Sequence, residues 1–181
     1  MPRVTPLPSS ALPPEQAALY ETFASGYADF RDQAAALAHV PAALDGLYGM
    51  LLRLRAEAAV PLRYIELAVV TVSKINLCAY CVAHHKPLLG VEGVPDDAIA
   101  GLPDFDHPAF DATDRLVVEY ARLVTETPGR IRDGVFERLR EVFSERQIVE
   151  LTLRIALAGF FNRFNDALQI DDGRSAPLLE T

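Results

Sequence analysis

Apolar residues recur along most of this chain at steps of three and four, the spacing of one face of an α-helix. Ala18, Leu19 and Phe23 mark such a face over 14–24, opening at Pro14. Leu44, Leu47, Leu51 and Leu54 mark a second, which Pro41 opens because proline suits a first helical turn. No element is predicted between about Ala24 and Pro41. Val60-Pro61 breaks the chain, and a third helix starts at Pro61 or Leu62 and runs to about Ile75. After a short break at Asn76-Leu77 the pattern resumes from about Cys78 to Leu89. Pro87 should kink or end that helix early, because proline lacks the N–H that would bond Ala83.

The second half continues in the same style. Residues 90–95 read as a turn, 96–100 as a short helix at most, and 101–110, with Pro103 and Pro108, as the clearest internal loop. Asp111 can cap a helix to about Glu126, with Leu116, Tyr120 and Leu123 apolar. The stripe of Leu116, Val117 and Tyr120 is the mark of a core rather than of a cofactor site. Thr127-Pro128-Gly129 breaks this helix. Asp133 can cap the next, with Val135, Phe136, Leu139 and Val142 as its core face. Ser144-Glu-Arg-Gln147 fits a capping box ahead of a long apolar helix to about Leu168. No alternating run bounded by hairpin turns is present. The expectation is an all-α chain with one domain over 14–170, a proline-rich extended arm over 1–13 and a frayed tail over 171–181.

Composition agrees and removes several classes of function. At 181 residues a single domain with a real core is the default. The 26 alanines and 24 leucines favour helix. A formal net charge of −8 leaves no basic surplus to meet nucleic acid or an anionic membrane. The start carries Pro2, Pro6, Pro8, Pro13 and Pro14 and no apolar run, a poor secretion signal. No stretch reaches the roughly 18 uninterrupted apolar residues of a membrane span. Two cysteines are too few for a disulfide-stapled scaffold or a four-cysteine zinc site. These features fit a soluble protein of a reducing, cytoplasmic compartment. No phosphate-binding glycine loop or nucleotide fingerprint occurs, so no cofactor is expected.

The chemistry concentrates in 64–85, where Glu66, Cys78, Cys81 and His85 stand out. Cys78 and Cys81 form Cys-x-x-Cys at the start of a predicted helix, where unpaired N–H groups and the helix dipole favour a thiolate. Their plainer reading is two small buried hydrophobes. That both cysteines of the chain fall in one such motif argues against it. His85 lies four residues after Cys81 and seven after Cys78, on the face of both, and can exchange a proton with a thiol. His84 aligns less well and takes an exposed or structural role. His39 and His107 sit in separate segments.

Glu66 lies in an apolar helix. A carboxylate aimed at a core is costly unless paired, and burial favours its protonated form, which suits proton transfer near neutral pH. The alternative is a salt bridge to Arg63 or to an arginine on another helix. A zinc site built from Cys78, Cys81 and His85 with Glu66, His84 or His107 as a fourth ligand is disfavoured, because the first three donors fall within eight residues with no second pair downstream. Arg163, among Phe160, Phe161 and Phe164, is read as packing with an ion pair, for instance to Asp166, rather than as a subunit contact or a pocket residue.

At Glu66, Cys78, Cys81 and His85 the sequence resembles the carboxymuconolactone decarboxylase-like superfamily, and more narrowly its alkylhydroperoxidase branch related to AhpD. That branch carries Glu, eleven residues, Cys-x-x-Cys, three residues and His, and the spacing here agrees without adjustment over about Arg63 to Gly90. The resemblance implies an AhpD-like helical fold and a homo-oligomer, usually a trimer or hexamer. It implies a thiol-dependent peroxidase in which Cys81 attacks a hydroperoxide and Cys78 resolves the product to a Cys78–Cys81 disulfide. His85 and Glu66 would relay protons, and an external dithiol or disulfide reductant would restore the pair. Tyr80 stands where some members have histidine, which removes a third proton-transfer group, and Pro87 follows the motif closely. The decarboxylases lack the cysteine pair, which disfavours that activity. A redox-sensing or binding protein on the same fold is the rival reading.

Overall fold

The computed structural model describes residues 2–26, 29–171 and 173. Among these the regular elements are all helical, as the periodicity predicts. The described residues group into two compact units, 2–58 with 165–173 and 59–164. Apart from Asp171 and Gly173, the tail expected over 171–181 lies outside the described residues.

In the first unit the arm contains a short 3-10 turn, Ser9–Ala11. Its backbone is tied down: the Arg3 N–H donates to the Leu168 carbonyl at 2.8 Å and the Leu7 N–H to the Ala35 carbonyl at 3.1 Å. Helix α1 spans Pro14–Gly26, α2 Arg31–Leu37 and α3 Pro41–Ala56. Phe23 of α1 stacks on Tyr48 of α3 with ring centroids 3.6 Å apart. The sequence pattern does not announce α2, because Gln33 to Leu37 are all buried and leave no polar face to set a period. Tertiary bonds hold it instead. Tyr48 Oη donates to Gln33 Oε1 at 3.0 Å, and Gln33 Nε2 donates to Asn165 Oδ1 at 3.1 Å.

The second unit is built on α4, Leu62–Ile75, in which every residue from Ile65 to Ser73 is buried. It packs against α5, Ala79–Val91, and α7, Ala112–Glu126. Between them lies the short α6, Asp96–Gly101, whose final carbonyls at Ile99 and Ala100 accept from Lys74 Nζ. Helix α8, Asp133–Val142, and α9, Glu145–Leu168, complete the element order. The core joins Leu67 and Val70 of α4, Leu116, Val117 and Tyr120 of α7, Leu139 of α8, and Leu151 and Ile155 of α9. Each such side chain contributes roughly 2 kcal/mol by leaving water.

The predicted Asp111 cap and the predicted Ser144–Gln147 capping box both form, and the Asp111 cap is itself a full box. The Asp111 side chain accepts from the Asp114 N–H at 2.8 Å, and the Asp114 side chain accepts from the Asp111 N–H at 3.2 Å. Ser144 and Gln147 exchange the same pair, at 3.3 and 2.9 Å. Three local expectations fail. The cap of α8 is Arg132, and Asp133 is the first helical residue, where its charge meets the helix dipole rather than an N–H. Val142 is 48% exposed, because the chain turns extended at Phe143 and sends that ring inward, edge-on to Tyr64. Helix α5 does not end at Pro87, one of the two outcomes expected of that proline, but runs on to Val91. The fully buried Leu89, two residues on, rewards continuing past the missing N–H of Pro87.

Candidate active site

The buried middle of α4 and the first turns of α5 bring together residues 19 apart in sequence. His85 Nδ1 lies 2.7 Å from Glu66 Oε2, and Glu66 has no exposed surface. The other carboxylate oxygen, Glu66 Oε1, is buried without a hydrogen-bond partner. The alternative pairing of Glu66 with Arg63 fails, because Arg63 is engaged elsewhere. Its Nε and Nη2 grip Asp114 at 2.9 and 2.6 Å, and its Nη1 donates to the Glu92 carbonyl at 2.8 Å.

Cys78 is the residue that caps α5, and Cys81 stands in the first turn of that helix. Both are buried and not joined in a disulfide, with their Sγ atoms 2.7 Å apart. His85 follows Cys81 by one helical turn. Burial is the largest influence on the His85 imidazole and opposes its protonation. The charge of Glu66, the hydrogen bond to Glu66 and the charge of Cys81 together outweigh burial and hold the imidazole above its ordinary value.

The corner between α4 and α5 fixes where Cys78 sits. The Cys78 N–H donates to the Ser73 carbonyl at 2.9 Å and the Leu77 N–H to the Lys74 carbonyl at 3.1 Å. These are the two bonds of a Schellman helix ending, with Leu77 as the left-handed residue at φ 60°. Leucine there costs roughly 1–2 kcal/mol relative to an ordinary helical conformation.

His84 is buried rather than exposed, because its ring packs on Tyr80 with centroids 4.3 Å apart, so its structural alternative survives. His107 lies 3.5 Å from Asp97, and His39 lies 2.8 Å from the Thr5 carbonyl. Among the described residues no three His, Cys, Asp or Glu side chains are disposed to hold a metal ion. Arg163 folds back on its own helix and donates to the Gly159 carbonyl at 2.7 Å, where a Cβ on residue 159 would come within 3.0 Å of the guanidinium. The residue that sequence reasoning missed is Asn162. It continues the core stripe of Leu151, Ile155 and Ala158, and a buried amide at that step was the available signal.

Residues 38–122 match the model of the Carboxymuconolactone decarboxylase family, and that stretch contains α4, α5 and all four side chains singled out by their spacing. The match covers 85 of the 181 residues, from 38 to 122, and over that stretch the chain is similar to this family. The structure is similar to the crystal structure of an alkylhydroperoxidase AhpD core, an uncharacterized peroxidase-related protein from Ralstonia eutropha JMP134. That likeness has a TM-score of 0.81 at 22% identity over 96% of this chain and 94% of the other. It is also similar to the debrominase Bmp8, solved as a variant in complex with 2,3,4-tribromopyrrole, with a TM-score of 0.74 at 20% identity over 94% and 92% of the two chains. In sequence it is 29% identical over 100 residues to the uncharacterized protein YnjA of Escherichia coli K12, a match spanning 55% of each chain. The chain thus covers little more than half the length of that relative.

Proposed function

We propose that this chain is a thiol-dependent peroxidase of the alkylhydroperoxidase type. The observation that carries the reading is the buried Glu66–His85 pair at 2.7 Å, with His85 one helical turn beyond Cys81 and the two cysteine sulfurs 2.7 Å apart. Cys81 is the nucleophile. It is one turn from His85, and it keeps 4% of its surface while Cys78 keeps none.

The reaction balances within the site. The Cys81 proton passes to the His85–Glu66 pair, and the thiolate attacks the terminal oxygen of a hydroperoxide. A sulfur–oxygen bond forms, the O–O bond breaks, and the leaving alkoxide takes the proton back as an alcohol. Cys78 then attacks the sulfenic sulfur. The S–S bond forms, the S–O bond breaks and water leaves. The two thiols have supplied the two electrons that reduce the peroxide. An external dithiol resets the pair by exchange. The orphan oxygen Glu66 Oε1 gives the relay a second basic position for the arriving proton. The protein would work as a homo-oligomer in a reducing compartment.

The fold shared with a debrominase favours testing one second substrate class, a brominated pyrrole, beside hydroperoxides. The test is turnover of cumene hydroperoxide by the full chain with a dithiol reductant. The wild type should consume peroxide continuously. Cys81→Ser should be inactive, and Cys78→Ser should stop after one equivalent with a sulfenic acid trapped by dimedone. Full activity in Cys81→Ser contradicts the assignment. Bromide release without peroxide consumption transfers the chemistry to the second class.

A further inference from the structure

Asn162, 1% exposed on α9, lies in the aromatic segment that the proton relay does not use. Its Nδ2 donates to Ser73 Oγ at 3.1 Å, and its Oδ1 accepts from Asn76 Nδ2 at 2.9 Å. Ser73 and Asn76 stand on either side of the bonds that end α4. Ser73 also lends its carbonyl to the Cys78 N–H at 2.9 Å. One buried amide, 89 residues beyond Ser73 in sequence, therefore grips the turn that delivers Cys78.

The molecule contains the same ending a second time, at the close of α5. There the Gly93 N–H donates to the Gly90 carbonyl at 3.0 Å and the Val94 N–H to the Leu89 carbonyl at 3.4 Å. Glycine takes the left-handed position, at φ 83°, with no Cβ to resist it. Leu77 takes that position ahead of Cys78 at φ 60°, where its Cβ meets the carbonyl of the turn. A strained link of this kind persists where its surroundings over-determine it. The clamp from Asn162 is that surrounding.

We propose that Asn162 is a positioning residue for Cys78. It touches neither sulfur. By holding Ser73 and Asn76 it fixes the Leu77 turn, and so keeps the Cys78 thiol at the first turn of α5, where unpaired helix N–H groups favour the thiolate. The inference rests on the reading of Cys78 and Cys81 as a redox pair and assigns their reactivity to a side chain outside the motif.

The test uses the full chain in a Cys81→Ser background, so that Cys78 is the single thiol, and follows its ultraviolet thiolate absorbance across pH, which needs no reagent to reach the buried sulfur. Asn162→Leu removes the amide at similar volume. It should move the midpoint of the titration to higher pH and lower the thiolate fraction at pH 7 by about three- to tenfold. Asn76→Ala, which cuts one arm of the clamp, should move the midpoint the same way by less. Thr152→Val, on the same helix, removes the 2.6 Å bond to Tyr120 and should lower stability without moving the midpoint. An unchanged midpoint in folded Asn162→Leu, or an equal shift in Thr152→Val, overturns the proposal. If Asn162→Leu does not fold, Asn76→Ala decides, and an unchanged midpoint there overturns it. This titration needs no peroxide. Failure of the peroxidase reading shows separately, as a wild type that leaves hydroperoxide unconsumed.

Discussion

The start of α7 and the middle of α4 each bury a carboxylate with no exposed surface. At α7, Asp114 accepts from Arg63 on both oxygens and from the Asp111 N–H, and Arg63 is bound in turn to the Glu92 carbonyl. At α4, Glu66 has one bond, to His85, and its second oxygen has none. A buried charge with all its partners holds a helix start in place. A half-satisfied one costs stability, and the places where such groups persist are commonly sites of chemistry. Under the proposed function, the difference separates the acid that builds the unit from the acid that relays its protons.

The largest effect that tests this contrast is on the Asp114 side. Asp114→Ala strands the Arg63 guanidinium and removes half of a capping box. It should cost about 3 kcal/mol in urea unfolding while leaving peroxide turnover of the folded fraction within about twofold. Glu66→Gln should do the reverse. Glutamine can still accept from His85, so stability should stay within about 1 kcal/mol, but thiol oxidation by hydroperoxide should slow about 100-fold in stopped flow. If Glu66→Gln unfolds the protein and Asp114→Ala destroys only activity, the two roles are exchanged.

A smaller effect lies in pH. The folded-state value of His85 is raised, so its stabilisation is complete below the ordinary histidine value of about 6.5 and is lost as pH rises through the raised value. Without the Glu66 charge, burial dominates and favours the neutral ring, so the sign reverses. Urea unfolding of reduced protein from pH 6 to pH 9 should show the wild type losing stability relative to Glu66→Gln. Parallel curves would break the link between the two residues.

The smallest effect belongs to the corner. Leu77→Gly relieves the left-handed strain at a half-exposed position and should change stability by no more than about 1 kcal/mol, in the stabilising direction. Thermal unfolding reads it.

Much of this was legible in the sequence because it is written locally. Pro41 and Pro61 set helix starts, Asp111 and Ser144 set capping boxes, and the spacing from Glu66 to His85 flagged residues that the fold brings to hydrogen-bonding distance. What was not legible depends on distant parts of the chain. Helix α2 exists because Gln33 to Leu37 are buried, not because their pattern is amphipathic. Arg63 was a credible partner for Glu66 at three residues' separation, and Asp114, 51 residues away, took it with two bonds while the Glu92 carbonyl took a third. Pro87 obeyed its missing N–H less than it obeyed the burial around it. Asn162 looked like one amide among aromatics until the fold placed it on Ser73 and Asn76.

The central claim is that Cys78 and Cys81 act as one two-electron redox pair. It is tested most directly by titrating thiols on the reduced full chain before and after one equivalent of hydroperoxide, and again after dihydrolipoamide. The account predicts that both of the chain's two thiols vanish with peroxide and return with the dithiol. Two thiols that remain titratable after peroxide contradict it.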